Sequence, residues 1–528
     1  MTQRPSVHLV WFKRDLRIHD HAPLSTAAKA GCVLPLYVLE PELWRQPDAS
    51  PRQYAFLLES LSALNAALTN LGQALIVRIG GAVQVLAQLQ TQCVIEAIYT
   101  HDECGNAWTY ARDRAVFAWA KSQRISVLSF RQFGVVRGLQ ERKAWARQWH
   151  ELMHAPKALA PDSLTPLSLI SDALPDYLAL NKPRIMGLAG MSMPPGIEKQ
   201  QLGGRVQALQ TLHSFFDTRG ERYTRQMSSP LSAASACSRL SPHLALGCMS
   251  LREVYQAANK RQQRYVEEGR SVYARSLASF LSRLRWHCHF IQKLESEPEL
   301  EFHNTNRGFD GLRESEIDLQ RVARWARGET GWPLVDACMR SLNATGWLNF
   351  RMRAMLIATS SYQLWQHWRE PGLHLARMFL DFEPGIHWSQ VQMQSAVTGI
   401  NIPRMYNPVK QSQEQDPDGV FIRRWLPELA GVPNALIHAP WLMHAQQQRQ
   451  FGVQLDSDYP LPMLDHEAGA RAAKAKLSAY WQRPEMAPLS AQVLKKHGSH
   501  KRTLTIGVKS TKSRKTTKAK SKQRDLFD

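Results

Sequence analysis

Cysteine is sparse in this 528-residue chain: seven residues, at 32, 93, 104, 237, 248, 288 and 338, with no CxxC pair. An odd, scattered set disfavours both a disulfide framework and a cysteine-ligated zinc or iron–sulfur centre. The run His287-Cys288-His289 looks like a ligand cluster. Consecutive helical residues point about 100° apart, so they cannot converge on one ion, and no metal is expected. Long apolar runs are also missing, and the N-terminus lacks a basic-then-apolar signal pattern. These absences point to a cytoplasmic protein without a membrane span. Acidic residues are few beside basic ones, 45 against 66, for a net charge of +21. Such an excess marks an anionic partner, nucleic acid above all.

The length calls for two domains. Over residues 1–135, short β-branched runs (Val7–Phe12, Val33–Leu39, Leu75–Ile79, Ala97–His101 and Ser126–Phe130) alternate with helical patterns over Gln53–Leu71, Ala82–Cys93 and Trp108–Ala120. Strand–helix–strand alternation predicts an α/β domain with a doubly wound parallel sheet. No G-x-G-x-x-G opens the first helix, which disfavours an ordinary dinucleotide-binding enzyme. Residues 136–205 are rich in proline and leucine without sustained periodicity and read as an interdomain connector. Residues 206–490 carry helical patterns and almost no strand signal, predicting a larger all-α domain. Residues 491–528 read as a basic, disordered tail. Between Lys495 and Asp528 there are 12 Lys/Arg and 2 Asp/Glu, so the tail carries +10 and the body +11.

The helical region is dense in tryptophan (Trp286, Trp325, Trp332, Trp347, Trp365, Trp368 and Trp388). Each one singly reads as core packing. Three polar segments interrupt the apolar pattern. Cys237-Ser238-Arg239-Leu240-Ser241 sets hydroxyls and free amides at a helix start, which suits an anion and equally a plain N-cap. Arg351 and Arg353 sit on an otherwise apolar helix, and Asp381-Phe382-Glu383 follows another. A buried arginine needs a carboxylate, and Arg353 with Asp381 is the obvious pair; solvated side chains are the alternative.

Three further strings carry a resemblance. They are Val10-Trp11-Phe12-Lys13-Arg14-Asp15-Leu16-Arg17 with Asp20, Gly328 to Ala337 followed by Gly346-Trp347, and Phe421 to Leu429. In their order across residues 5–445 they resemble the photolyase/cryptochrome family. The resemblance implies FAD in the helical domain, an antenna chromophore of folate or deazaflavin type in the α/β domain, and DNA with a flipped pyrimidine dimer as partner. It assigns Tyr223, Cys237, Ser238, Arg239, Leu240 and Ser241 to the FAD phosphates. It sets Arg353 and Asp381 beside the isoalloxazine, with Phe382 and Glu383 at its polar edge. Trp286 and Arg351 would meet DNA.

Departures from the family pattern are as informative. The residue facing flavin N5, usually asparagine in photolyases, is His387, which could supply a proton because imidazole titrates near neutral pH. Arg283 replaces the glutamate that assists cyclobutane-dimer repair, and would stabilise a developing anion. Phe350 replaces an asparagine of that pocket. Trp368 keeps its place in the tryptophan electron-transfer chain. The cofactor-proximal member reads Val391 and the outer one falls near Ser315, leaving Trp388, Trp365 or Tyr362 to substitute. The implied activity is light-driven repair of UV-damaged DNA by a monomeric enzyme; the alternative is a blue-light photoreceptor without repair. At the end of the chain, Gln523, Leu526 and Phe527 resemble the peptide by which bacterial repair proteins dock on the sliding clamp.

Overall fold

The computed structural model describes residues 4–169, 171–174, 201–401 and 403–498. Five strands, β1 (Ser6–Phe12), β2 (Val33–Leu39), β3 (Ile76–Ile79), β4 (Val94–His101) and β5 (Ser126–Phe130), form one parallel sheet in the order β3-β2-β1-β4-β5. Its two faces follow from the period of two along each strand. Val10, Phe12, Val33 and Tyr37 face α1 (Ala22–Ala30) and α2 (Pro51–Thr69) through Leu24, Leu57, Leu61 and Leu64. Leu9, Trp11, Leu34 and Leu36 face α3 (Ala82–Gln92) and α4 (Ala107–Ser122) through Val85, Leu89 and Val116. With both faces covered, the strands read as continuous apolar runs. Strand β4 begins at Val94 rather than Ala97, because Ser6 pairs with Val94 at the sheet's exposed end, where no apolar signal is required. The strand order reverses direction between β1 and β4, and the crevice beyond their C-terminal ends is where such sheets bind ligands.

The stretch expected to be a plain connector contains α5 (Arg142–His154). Its Trp145, Trp149 and Met153, spaced one helical turn apart, are buried in the core of the helical domain. That core also takes in α6 (Arg205–Asp217), α7 (Leu251–Glu267) and α8 (Ser271–Ser296). A second core gathers α9 (Pro333–Thr345), α10 (Phe350–Ala358), α11 (Arg369–Met378) and α12 (Pro384–Gln394). The Gly328–Ala337 string makes a turn tied by Asp336, which accepts from the Thr330 and Gly331 amides, the Thr330 hydroxyl and the Tyr459 hydroxyl. Gly331 is required there: its φ is +79°, and a Cβ would meet the backbone of Pro462 at 2.4 Å. Part of the expected tail is helical. Helix α13 (Met486–His497) crosses position 491, since Val493 and His497 continue its buried face. Residues 175–200 of the connector and 499–528 of the tail lie outside the described residues, as do Gln523, Leu526 and Phe527. Among the described residues, no helix is long and apolar enough to cross a membrane.

Candidate active site

A cleft of about 580 Å³ opens between α10, α11 and α12, lined by Phe350, Arg353, Asp381, Phe382, Glu383 and His387 among others. Arg353 Nη1 and Nη2 donate to the two Asp381 oxygens at 3.0 and 2.9 Å, its Nε donates to the Leu348 carbonyl, and its guanidinium lies over Phe379. This fork geometry fixes both side chains. Burial pushes the Asp381 carboxyl up, but Arg353 and the Ser241 hydroxyl outweigh it and hold the group below its ordinary range. The expected pair is therefore formed.

Pro384 starts α12, and Glu383 just before it does not cap the helix. Its carboxylate turns instead to Arg14, whose Nη2 donates to Oε2 at 2.9 Å. Oε1 is buried with no hydrogen-bond partner. Burial pushes this carboxyl up to about 7, against the pull of Arg14 and with that of Glu103. His387 differs from expectation. Its Nε2–H donates to the Gly372 carbonyl at 2.8 Å, and burial pushes the imidazole down to about 4. It is neutral at neutral pH, and the cleft group poised to exchange a proton there is Glu383.

The Cys237–Ser241 turn lies alongside. Arg239 takes a left-handed φ of +61° and stacks its guanidinium over Trp347 at 4.0 Å. Arg219 donates to the Cys237 and Ser238 carbonyls. Burial pushes the Cys237 thiol up to about 12, opposed in turn by the charges of Arg239, Arg219, Arg353 and Arg283. The helix that follows, Ser241–Ala245, is too short for its dipole to matter, so these guanidinium groups supply the anion-attracting field. The Tyr223 hydroxyl bonds Arg283, which places Arg283 at this turn; it is not among the cleft's lining residues.

These features fit FAD. The guanidinium charges of Arg239, Arg219 and Arg283 suit a diphosphate, the apolar walls Ile357, Leu375, Phe379 and Val391 suit a planar ring, and the unpartnered oxygens of Glu383 and Gln390 suit its N–H edge.

Phe350 stands 42% exposed at the cleft, and Arg351 beside it keeps a buried Nε without a partner. Trp286 is half-buried on α8, stacked on Phe290 at 5.6 Å and edge-on to His289 at 5.0 Å, outside the cleft lining. Trp368 is fully buried, donates to Asn304, and meets Trp388 edge-on at 5.8 Å. Trp388 in turn meets the His387 ring at 4.9 Å, so this tryptophan links Trp368 to a residue of the cleft that Val391 also lines.

A second, larger cavity of about 910 Å³ lies at the strand-order reversal; the sequence offered Phe12, Lys13 and Arg14 only as part of a family string and Phe382 only for the FAD site. Phe12, Lys13 and Arg14 follow β1, Glu40 follows β2, and Glu103 to Asn106 follow β4; Phe382 and Pro384 close it from the helical side. At its wall Arg112 is paired with Glu40, Glu103 and Asp113, while Lys13 also meets Asp113. The crevice rule was the available signal, but it needs the strand order. Nearby, His21 and His101 both donate to Asp15 Oδ2, at 2.9 and 2.7 Å. His21 Nδ1 accepts from the Leu24 amide, so these buried groups satisfy one another as a hydrogen-bonded triad.

Residues 8–137 match the family described as DNA photolyase, and residues 280–479 match the FAD binding domain of DNA photolyase. A cryptochrome DASH from Gloeobacter violaceus is 28% identical over 90% of this chain and 96% of its own length. A deoxyribodipyrimidine photo-lyase from Alkalihalophilus pseudofirmus is 28% identical over 90% of this chain and 98% of its own. The crystal structure of a Synechocystis cryptochrome superposes with a TM-score of 0.78 at 27% identity, covering 90% of this chain and all of that one. Motifs, fold and cleft agree with these matches: the chain belongs to the photolyase/cryptochrome family.

Proposed function

We propose that this protein repairs UV-damaged pyrimidine pairs in DNA under blue light. The observation that carries this reading is the cleft itself: a part-buried Arg353–Asp381 pair, an unpartnered Glu383 oxygen and an exposed Phe350 ring at one cavity. When bound, FAD supplies light absorption and the electron. Arg353, held by Asp381, orients the ring system and keeps positive charge beside it. Glu383 holds or releases a proton at its carboxyl, set by Arg14. Neutral His387 offers no charge of its own and fills the apolar wall. Phe350 presents an aromatic face on which a flipped base stacks. Trp388, touching both His387 and Trp368, takes the relay position left open by Val391. The larger cavity, aromatic-walled and next to Phe382, is the place for an antenna chromophore. A basic body and tail bring the protein to DNA, and the Gln523–Phe527 peptide tethers it to the sliding clamp.

One observation favours a photoreceptor instead: Arg283 bonds Tyr223, so the side chain standing where repair enzymes carry glutamate is engaged elsewhere. Blue-light assays on separate cyclobutane and (6-4) substrates decide between the two.

A further inference from the structure

We propose that Lys293, Arg142 and His497 form a binding site for a phosphate-type oxyanion where α5, α8 and α13 meet. Lys293 is only 7% exposed and has no hydrogen-bond or ion-pair partner among the described residues; its ammonium lies over the Phe290 ring at 5.2 Å. Arg142 uses Nη2 on His289, bonding Nδ1 at 2.6 Å and the carbonyl at 3.2 Å, while its Nη1 is buried with no partner. His497 is 2% exposed; its Nε2 lies 2.6 Å from Glu297 Oε2, and its Nδ1 is buried and unpartnered.

The charges around this point are lopsided. His289 feels Lys293, Arg142, His497 and Arg285, and Lys496 sits at the rim on Glu297. Carboxylates are scarce: Glu297 serves Lys496 and His497, and Glu295 is taken by Arg137 and Tyr110. Burial pushes Lys293 down to about 8 and Arg142 down to about 10, each a sign of a cation without its counter-charge. Cations with so little counter-charge are costly, and the unused Arg142 Nη1 within charge range of the unpaired Lys293 ammonium describes a missing acceptor, to which His497 Nδ1 can donate once the ring is protonated. A tetrahedral oxyanion offers several acceptor oxygens and the compensating charge. Its source is either free phosphate or a phosphodiester of nucleic acid; Trp286, edge-on to His289, sets an aromatic ring beside the site. The inference does not depend on repair activity or on light.

The test uses the full-length, flavin-loaded protein in the dark. Its unfolding midpoint is measured in sodium phosphate and in sodium chloride at equal ionic strength, for wild type, Lys293→Met, Arg142→Gln and His497→Gln. Phosphate is expected to raise the wild-type midpoint above chloride, with its apparent affinity about tenfold weaker in Lys293→Met and Arg142→Gln. Flavin absorbance should be unchanged in every variant. A single-stranded oligonucleotide that competes with phosphate identifies a phosphodiester as the source, and one that does not identifies the free anion. Equal response of the wild type to phosphate and chloride would overturn the site. So would retention of the full phosphate response by both Lys293→Met and Arg142→Gln. Should Lys293→Met fail to fold, Arg142→Gln and His497→Gln carry the same comparison.

Discussion

Arg14 Nη2 lies 2.9 Å from Glu383 Oε2, joining the loop after β1 to the residue that precedes α12. The same nitrogen donates to the Phe382 carbonyl, and Arg14 Nε donates to Ala245. This arginine therefore stands in the wall between the two cavities, lining one while it holds a carboxylate that lines the other.

That relationship sets the pH behaviour of the cleft. Glu383 titrates near 7 in the fold against 4.5 unfolded, so the folded state holds its proton more tightly. Its contribution to stability is full below about 4.5 and falls as pH rises toward 7. Glu383→Gln should gain stability relative to wild type across that window. In a pH titration of the flavin absorbance, the wild-type step near 7 should vanish in Glu383→Gln and move upward in Arg14→Gln.

Breaking the ion pair should have the largest structural effect. Arg353→Ala leaves Asp381 with the Ser241 hydroxyl but no counter-charge, and removing one partner of such a pair costs about 3–5 kcal/mol. Loss of bound FAD is expected with it, read as the ratio of visible to ultraviolet absorbance in purified protein. Arg353→Lys restores charge but not the two-toothed geometry and should recover only part.

Acid sensitivity should be pronounced. Burial holds His101 and His374 down to about 3, and His243, His287 and His387 down to about 4. Unfolded histidines bind a proton near 6.5, so acid favours the unfolded chain. These groups leave stability intact above about 6.5 and erode it as pH falls toward 4. Unfolding at pH 5 should take up about one proton per buried histidine, and His387→Asn should take up one fewer. Calorimetry in buffers of different ionisation enthalpy measures that number.

Much of the fold was legible in the sequence. Strands β2 and β5 fall where the β-branched runs predict; for β2, buried at every position, the reason is that a doubly covered parallel strand leaves a continuous apolar signature. Arg353 and Asp381 were readable as a pair because a buried charge demands a partner. Helix α5 was not, since Trp145, Trp149 and Met153 lie in a segment dominated by prolines nearby. The larger cavity draws on residues from Phe12 to Pro384 that only the folded topology assembles. The state of His387 was not legible for a related reason: burial, which lowers its imidazole, and the Gly372 carbonyl that holds it are not visible in a linear motif.

At the other end of the chain, charge and shape should separate cleanly. Replacing Leu526 and Phe527 with alanine should abolish binding to the sliding clamp in a pull-down at moderate salt. DNA affinity and FAD content should be unchanged, because on the proposed tethering the lysines of the tail would act through salt-sensitive phosphate contacts and the two anchors through apolar burial. Removing those lysines should weaken DNA binding at low salt and matter little at high salt.

The central claim is light-driven repair of a pyrimidine lesion at the Arg353–Asp381 cleft, and one measurement addresses it directly. Purified protein with its FAD reduced is mixed with oligonucleotides carrying a single cyclobutane dimer or a single (6-4) product, then kept dark or exposed to blue light. Restored pyrimidines in the light sample alone, for at least one lesion, are the expected result. Protein that holds FAD, binds DNA and returns both lesions untouched after illumination would contradict the account and leave a photoreceptor in its place.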